Sequence, residues 1–179
     1  MKVVFVGGIH GVGKSTLCEA FSRTSGLLHV TASSIIRMAS EEATRAQGKL
    51  VRDVEANQAL LVAGVSRLGA SGVAEAMLLD GHFTLGKHDG TIERIPTKVF
   101  SDLQVSSLVC LQDSPNEIAS RLLARDGSVH SVADLSAFQE AELEHAAAVS
   151  NELNVPLALV KAFDMAAFEA VMASTLRDA

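Results

Sequence analysis

Residues 8–15 read Gly8-Ile9-His10-Gly11-Val12-Gly13-Lys14-Ser15, the spacing G-x-x-x-x-G-K-S/T. They stand between an apolar run, Val3-Val4-Phe5-Val6, and a segment of helical character from Ser15 to Arg23. This pattern in this context leaves few architectures open. The apolar run reads as a buried strand, the glycines let the backbone wrap so that successive N–H groups converge, and the following helix aims its positive end at the same point. Such a cradle suits a polyphosphate. Gly8, Gly11, Val12 and Gly13 would supply the loop backbone, Lys14 would reach the β- and γ-phosphates of ATP, and Ser15 would place its hydroxyl on Mg²⁺. Thr16 is a further expected phosphate contact from the first helical turn, whereas His10 is expected to be exposed rather than to touch the nucleotide.

The rest of the chain alternates. Leu27-Leu28-His29-Val30, Met77-Leu78-Leu79-Asp80, Ser107-Leu108-Val109-Cys110-Leu111 and Leu157-Ala158-Leu159-Val160 read as four more short apolar strands. Helical stretches are expected over 34–47, 53–68, 115–125, 132–153 and 165–176; Leu60, Leu61, Val65 and Leu68 recur at the spacing of one buried face. Ser114-Pro115 reads as an N-cap followed by the first helical position. Short, nearly all-apolar strands separated by helices predict an α/β fold with a five-stranded parallel sheet covered on both faces. The length of 179 residues suits a single domain over 1–179. Residues 81–96 read as one long irregular stretch, functional or merely a mobile loop.

A phosphate loop also needs an acid on a neighbouring strand to hold the metal's water shell. Asp80 is the carboxylate that ends an apolar strand, and it is assigned that role beside Ser15. Composition excludes other partners. Against 15 Lys and Arg stand 21 Asp and Glu, and Tyr and Trp are absent. Nucleic acid is therefore not expected as a primary partner, and bound bases should rest on aliphatic walls, arginine planes or Phe. Cys18 and Cys110 lie far apart in apolar stretches, which predicts neither a disulfide framework nor a zinc site and points to the reduced cytoplasm. The charged start ends its apolar run at Gly7, so neither a signal peptide nor a membrane span is expected.

The acceptor side carries a resemblance. His29-Val30-Thr31-Ala32-Ser33-Ser34-Ile35-Ile36-Arg37 resembles the adenylate kinase segment H-I-S-T-G-D-M-L-R, Met77-Leu78-Leu79-Asp80-Gly81 resembles F-L-L-D-G, and Arg121-Leu122-Leu123-Ala124-Arg125 keeps R-x-x-x-R at the hinge of the lid. The resemblance to nucleoside monophosphate kinases spans essentially the whole chain, and the layout is closest to the compact archaeal-type adenylate kinases. It implies a three-layer P-loop NTPase fold with strand order 2-3-1-4-5, an acceptor-binding helical part at about 31–75, and a short lid at about 121–132. It also implies an acceptor-phosphate clamp at Arg37, a neighbouring contact at Thr31, and charge neutralisation by Arg121 and Arg125, which stand four apart on one helical face.

Three departures bear on the acceptor. His82-Phe83-Thr84-Leu85 stands where the family has F-P-R-T, no Lys or Arg occurs from Asp126 to Val160, and only about six residues separate Arg125 from the next helix. Lys87, Arg94 and Arg52 are candidate replacements for the missing arginines. The stretch Thr31 to Arg37 has no carboxylate, which fits an already ionised monophosphate better than a hydroxyl acceptor, although Asp53, His82 or Asp89 could act as a base. The expected function is ATP- and Mg²⁺-dependent transfer to a nucleoside monophosphate such as AMP or a deoxynucleotide; the alternatives are a small-molecule hydroxyl kinase and a nucleotide-binding regulatory ATPase module with a protein partner. His82 is a possible substrate-side residue at the mouth of the site, His29 is expected to pack or cap, and His130 and His145 are expected to face solvent.

Overall fold

The computed structural model describes residues 1–47, 54–87 and 90–177. The first strand, β1 (Lys2–Gly7), runs into the glycine loop and helix α1 (Lys14–Ser25). Then follow β2 (Leu28–Thr31), α2 (Ala32–Gln47), α3 (Val54–Ala70) and β3 (Ala76–Asp80). A hairpin comes next, β4 (Thr84–Gly86) with β5 (Ile92–Arg94), and then α4 (Thr97–Asp102) and β6 (Val105–Gln112). The chain closes with α5 (Pro115–Asp126), α6 (Val132–Leu153), β7 (Leu157–Lys161) and α7 (Met165–Arg177).

Five strands form one parallel sheet in the order β2-β3-β1-β6-β7, which is 2-3-1-4-5 when only its own strands are counted. Alternation along β1 explains the three layers. Val4 and Val6 face a core completed by Leu17, Phe21, Ile118, Leu122, Phe168 and Met172 from α1, α5 and α7. Val3 and Phe5 point to the opposite face, against Ile35, Leu61, Val65, Phe100, Ala146 and Val149 from α2, α3, α4 and α6. Side chains that alternate between faces, both of them buried, are what a near-continuous apolar strand in a parallel sheet requires.

Two expectations need correction. Residues 81–96 are not one irregular stretch: Thr84–Gly86 pairs antiparallel with Ile92–Arg94. Thr84 and Ile95 are buried, so this hairpin rests on the body of the protein rather than waving over it. The strands are three residues each, too short for period-two patterning to register in the sequence. His145 does not face solvent. It is 6% exposed, and its Nε2 lies 2.6 Å from the Ile95 carbonyl oxygen, tying α6 to the end of the hairpin. His130 is exposed, as expected. Among the described residues no helix is long and apolar enough to cross a membrane.

Candidate functional site

The site lies where the order of the sheet changes direction. From β1 the chain passes to one side through β2 and β3 and to the other through β6 and β7, and the crevice outside the carboxyl ends of such strands is where ligands bind. The register sets Val6 of β1 beside Asp80 of β3, and Thr31 of β2 beside Asp80 on the other flank. The loop after β1 is thereby fixed next to a carboxylate.

Helix α1 begins at Lys14, and Gly13 precedes it with φ 105°, in the left-handed region. A Cβ there would lie 2.8 Å from Phe163 Cζ, so both the conformation and the space call for glycine. Lys14 is 8% exposed, and its Nζ donates to the carbonyl oxygens of Gly8 at 2.7 Å and Ile9 at 3.1 Å. Burial pushes its ammonium below the ordinary lysine value, with the charges of Glu142 and Asp80 pulling the other way.

An open depression of about 290 Å³ surrounds this loop and is lined by Gly11, Gly13, Lys14, Ser15, Thr16 and His10 on one side and by Arg121, Arg125 and Phe163 on the other. Arg121 Nε donates to the Gly11 carbonyl at 3.1 Å, its NH2 pairs with Asp113 at 2.8 Å, and its guanidinium carbon lies 5.0 Å from the Phe163 ring centre. Arg125 NH2 contacts His10 Nε2 at 2.5 Å and Asp126 at 2.7 Å. Both expected arginines therefore stand at the depression, held by α5. Gly8 and Val12 do not line it: the Gly8 amide is taken by Glu142, and the Val12 side chain is buried in the core. Phe163 escaped the sequence reading. It is 48% exposed with φ 63°, a left-handed backbone that a bulky residue rarely adopts, and no periodic signal marks it.

Asp80 is 5% exposed and is the junction of the site. Its Oδ2 accepts a hydrogen bond from Ser15 Oγ at 2.9 Å and lies 3.0 Å from His29 Nε2. A hydroxyl and a carboxylate side by side at the start of α1 are hard oxygen donors, and this pair fits Mg²⁺. Cys18, His29 and Asp80 offer donor atoms within 4.8 Å of one another, so thiol, imidazole and carboxylate adjoin that pair. Burial pushes the Cys18 thiol well up, which keeps it protonated and out of hard-cation chemistry. His29 thus packs against the acid.

On the other side of Asp80 a second cavity, of about 190 Å³, opens between α2, α3, α4 and the end of β3. Its walls are chiefly apolar, including Phe5, Ile36, Leu61 and Phe100, and its polar groups are Ser33, Gln58, Asp80 and His82. Gln58 is 9% exposed and its Oε1 has no hydrogen-bond partner among the described residues. Burial, then the charges of Lys14 and His10, hold the His82 imidazole down to about 3, so it is neutral at ordinary pH.

Of the other expected acceptor residues, Thr31 caps α2, its Oγ1 accepting from the Ser34 amide at 3.0 Å, and it does not line the cavity. Arg37 is exposed on α2, next to cavity-lining Ile36, and has no partner among the described residues. Lys87 pairs with Glu93 and Arg94 with Glu144, both at the surface. Arg52, Asp53 and Asp89 lie outside the described residues.

Glu142 is the largest omission from the sequence reading. It is fully buried on α6, and its two oxygens accept from Gly8 N at 2.9 Å, Phe83 N at 3.0 and 3.1 Å, Thr84 N at 2.6 Å and Thr84 Oγ1 at 2.8 Å. Burial holds its carboxyl above the ordinary glutamate value, with the Phe83 and Thr84 hydrogen bonds and the Lys14 charge pulling the other way. The signal was available: Leu135, Phe138, Glu142, His145, Ala146 and Val149 recur at helical spacing, and a carboxylate in that stripe must have partners.

The parallel sheet, its strand order and the glycine loop feeding α1 define a P-loop NTPase fold. The chain belongs to the AAA domain family designated AAA_17, whose profile matches residues 7–139. No curated protein sequence matches it. Among solved structures it is similar to a gluconokinase from Sinorhizobium meliloti 1021, at 18% identity over 98% of this chain and 92% of that one, with a TM-score of 0.56. It is also similar to a candidate kinase from Chloroflexus aurantiacus J-10-fl, at 18% identity over 99% and 96% of the two chains, with a TM-score of 0.54. At these identities the likeness is one of fold.

Proposed function

We propose that the chain is an ATP- and Mg²⁺-dependent phosphotransferase acting on a small acceptor. The observation that carries this reading is the place of Asp80 between two concavities: it lines the apolar cavity beside His82, and through the hydrogen bond from Ser15 it adjoins the depression that Ser15 lines with Lys14, Arg121 and Arg125. Phosphoryl transfer needs donor and acceptor in line, with charge neutralised around the moving group. Lys14, Arg121 and Arg125 would neutralise the donor and the transferring group. Ser15 and Asp80 would hold Mg²⁺, which would supply positive charge to offset that of the phosphates. Phe163 and the Arg121 plane offer the stacking surface for a base that a chain without Tyr or Trp must find elsewhere. The kinase descriptions of both similar structures agree with this reading.

For the acceptor, a nucleoside monophosphate is the first choice. Its base suits an apolar slot with the unpaired Gln58 Oε1, and Arg37, without a partner among the described residues, would take its phosphate. A neutral hydroxyl acceptor is the second, favoured by the lack of any Lys or Arg among the described residues lining the cavity. ADP release from ATP·Mg against a panel of nucleoside monophosphates, nucleosides, sugars and hydroxy acids separates them. Stimulation by monophosphates, with Arg37→Ala raising acceptor KM about tenfold or more, supports the first. Stimulation only by neutral alcohols, unaffected by Arg37→Ala, replaces it with the second. Hydrolysis indifferent to every acceptor points to a regulatory ATPase.

A further inference from the structure

We infer that Glu142 is a positioning residue that locks the phosphate loop and the acceptor-side loop of residues 82–84 into one unit. The inference rests on the nucleotide-binding reading above and goes beyond it, because Glu142 lines neither concavity. The geometry is a chain of contacts. Glu142 Oε2 accepts from the Gly8 amide, and the carbonyl of that same Gly8 accepts from Lys14 Nζ at 2.7 Å, so the carboxylate governs the residue on which the lysine is parked. Oε1 accepts from the Thr84 amide and hydroxyl, and the Phe83 amide is shared between both oxygens. These amides directly follow His82, whose ring lines the acceptor cavity.

Glu142 has a further property that a structural clasp alone would not need. It sits on α6, the helix that follows α5 and its two depression-lining arginines, and α6 also carries Gln139, which bonds the backbone of Asp113, the partner of Arg121. One helix thus holds the first residue of the phosphate loop, the acceptor-side loop, and the anchor of an arginine facing the nucleotide depression. Only a carboxylate can serve the central position. All of its partners are donors, and in Glu142→Gln the amide oxygen can keep the Thr84 side while the NH₂ is set against the Gly8 N–H. The substitution is therefore selective: it frees the phosphate loop and leaves residues 83 and 84 held.

The test is direct binding of ATP·Mg by calorimetry on the whole chain, beside far-UV circular dichroism and thermal unfolding. Glu142→Gln should be folded and bind ATP·Mg about tenfold more weakly, the loss expected for one charge-assisted hydrogen bond. Thr84→Val removes one donor from the far side of the carboxylate. It should weaken ATP·Mg binding about threefold, although Thr84 lies off the nucleotide depression. A folded Glu142→Gln protein with wild-type ATP affinity overturns the inference, even if its melting temperature falls, since a purely structural clasp predicts that result. If Glu142→Gln does not fold, Thr84→Val decides by the same criterion. Wild-type protein that binds no ATP·Mg refutes the nucleotide reading itself, and the inference falls with it.

Discussion

The neutral state of His82 makes the stability of this fold depend on pH in a way that one substitution can isolate. The ring keeps 29% of its surface, and its Nδ1 is buried without a hydrogen-bond partner among the described residues, 4.0 Å from Glu142 Oε1. Burial, followed by the charges of Lys14 and His10, lowers its pKa from the ordinary 6.5 to about 3, against the opposing pull of Asp80 and the Gly8 backbone. A histidine with a lowered folded pKa contributes stability that is present above the unfolded pKa and is lost as pH falls through 6.5 toward 3, because the unfolded chain then binds a proton that the folded chain refuses. Between pH 7 and pH 5 the unfolded imidazole goes from mostly neutral to almost wholly charged, and the differential cost is about 2 kcal/mol, an upper figure given the residual solvent contact. Urea unfolding of wild type and His82→Gln at the two pH values measures it. Wild type should lose up to about 2 kcal/mol more than the variant on acidification, with the other histidines and Glu142 common to both. Equal losses would refute the assignment of His82 as a neutral, half-buried ring.

Two further outcomes are expected. If the proposed function holds, Lys14→Ala should abolish ATP-dependent phosphoryl transfer while leaving circular dichroism unchanged and the melting temperature within a few degrees, because the removed ammonium is disfavoured by burial and its hydrogen-bond partners among the described residues are the carbonyls of Gly8 and Ile9. Gly7→Ala should destabilise by about 2 kcal/mol or more in urea unfolding, since the added Cβ would stand 2.2 Å from Phe83 Cε2, in a ring that cannot retreat from Phe5 and Phe100 at centroid separations of 5.0 and 5.4 Å. Stability within about half a kcal/mol of wild type would show that this aromatic cluster yields.

Much of the site could be read from the chain because its signals are local. The glycine loop, Lys14 and Ser15 are contiguous and carry their own geometry. Asp80 could be picked out because it closes an apolar strand in a chain that already carries a phosphate loop, although a carboxylate at a strand end often only opens a turn. Arg121 and Arg125 were singled out by the resemblance of their R-x-x-x-R to the adenylate kinase lid hinge, and both line the depression. Residues whose role depends on long-range contacts were harder. Thr31 satisfies the start of α2, a use that short-range polarity does not distinguish from ligand binding. Glu142 and His145 lie 134 and 50 residues from the groups they bind, Gly8 and Ile95, so only their place in an apolar stripe could have given them away. Phe163 had no signal of either kind.

By itself, then, the sequence determined the parallel α/β architecture, the position of the phosphate cradle and the kind of chemistry available there, since strand polarity, glycine torsions and helix ends are encoded over a few neighbouring residues. Only the tertiary structure decided that an apolar cavity opens beside Asp80, that Thr84–Gly86 and Ile92–Arg94 pair as a docked hairpin, and that a buried carboxylate on α6 joins Gly8 to residues 83 and 84. These depend on which distant surfaces must share a buried polar group once water is excluded. The rule that buried donors need partners states that such a group must exist, but the packing chooses which one.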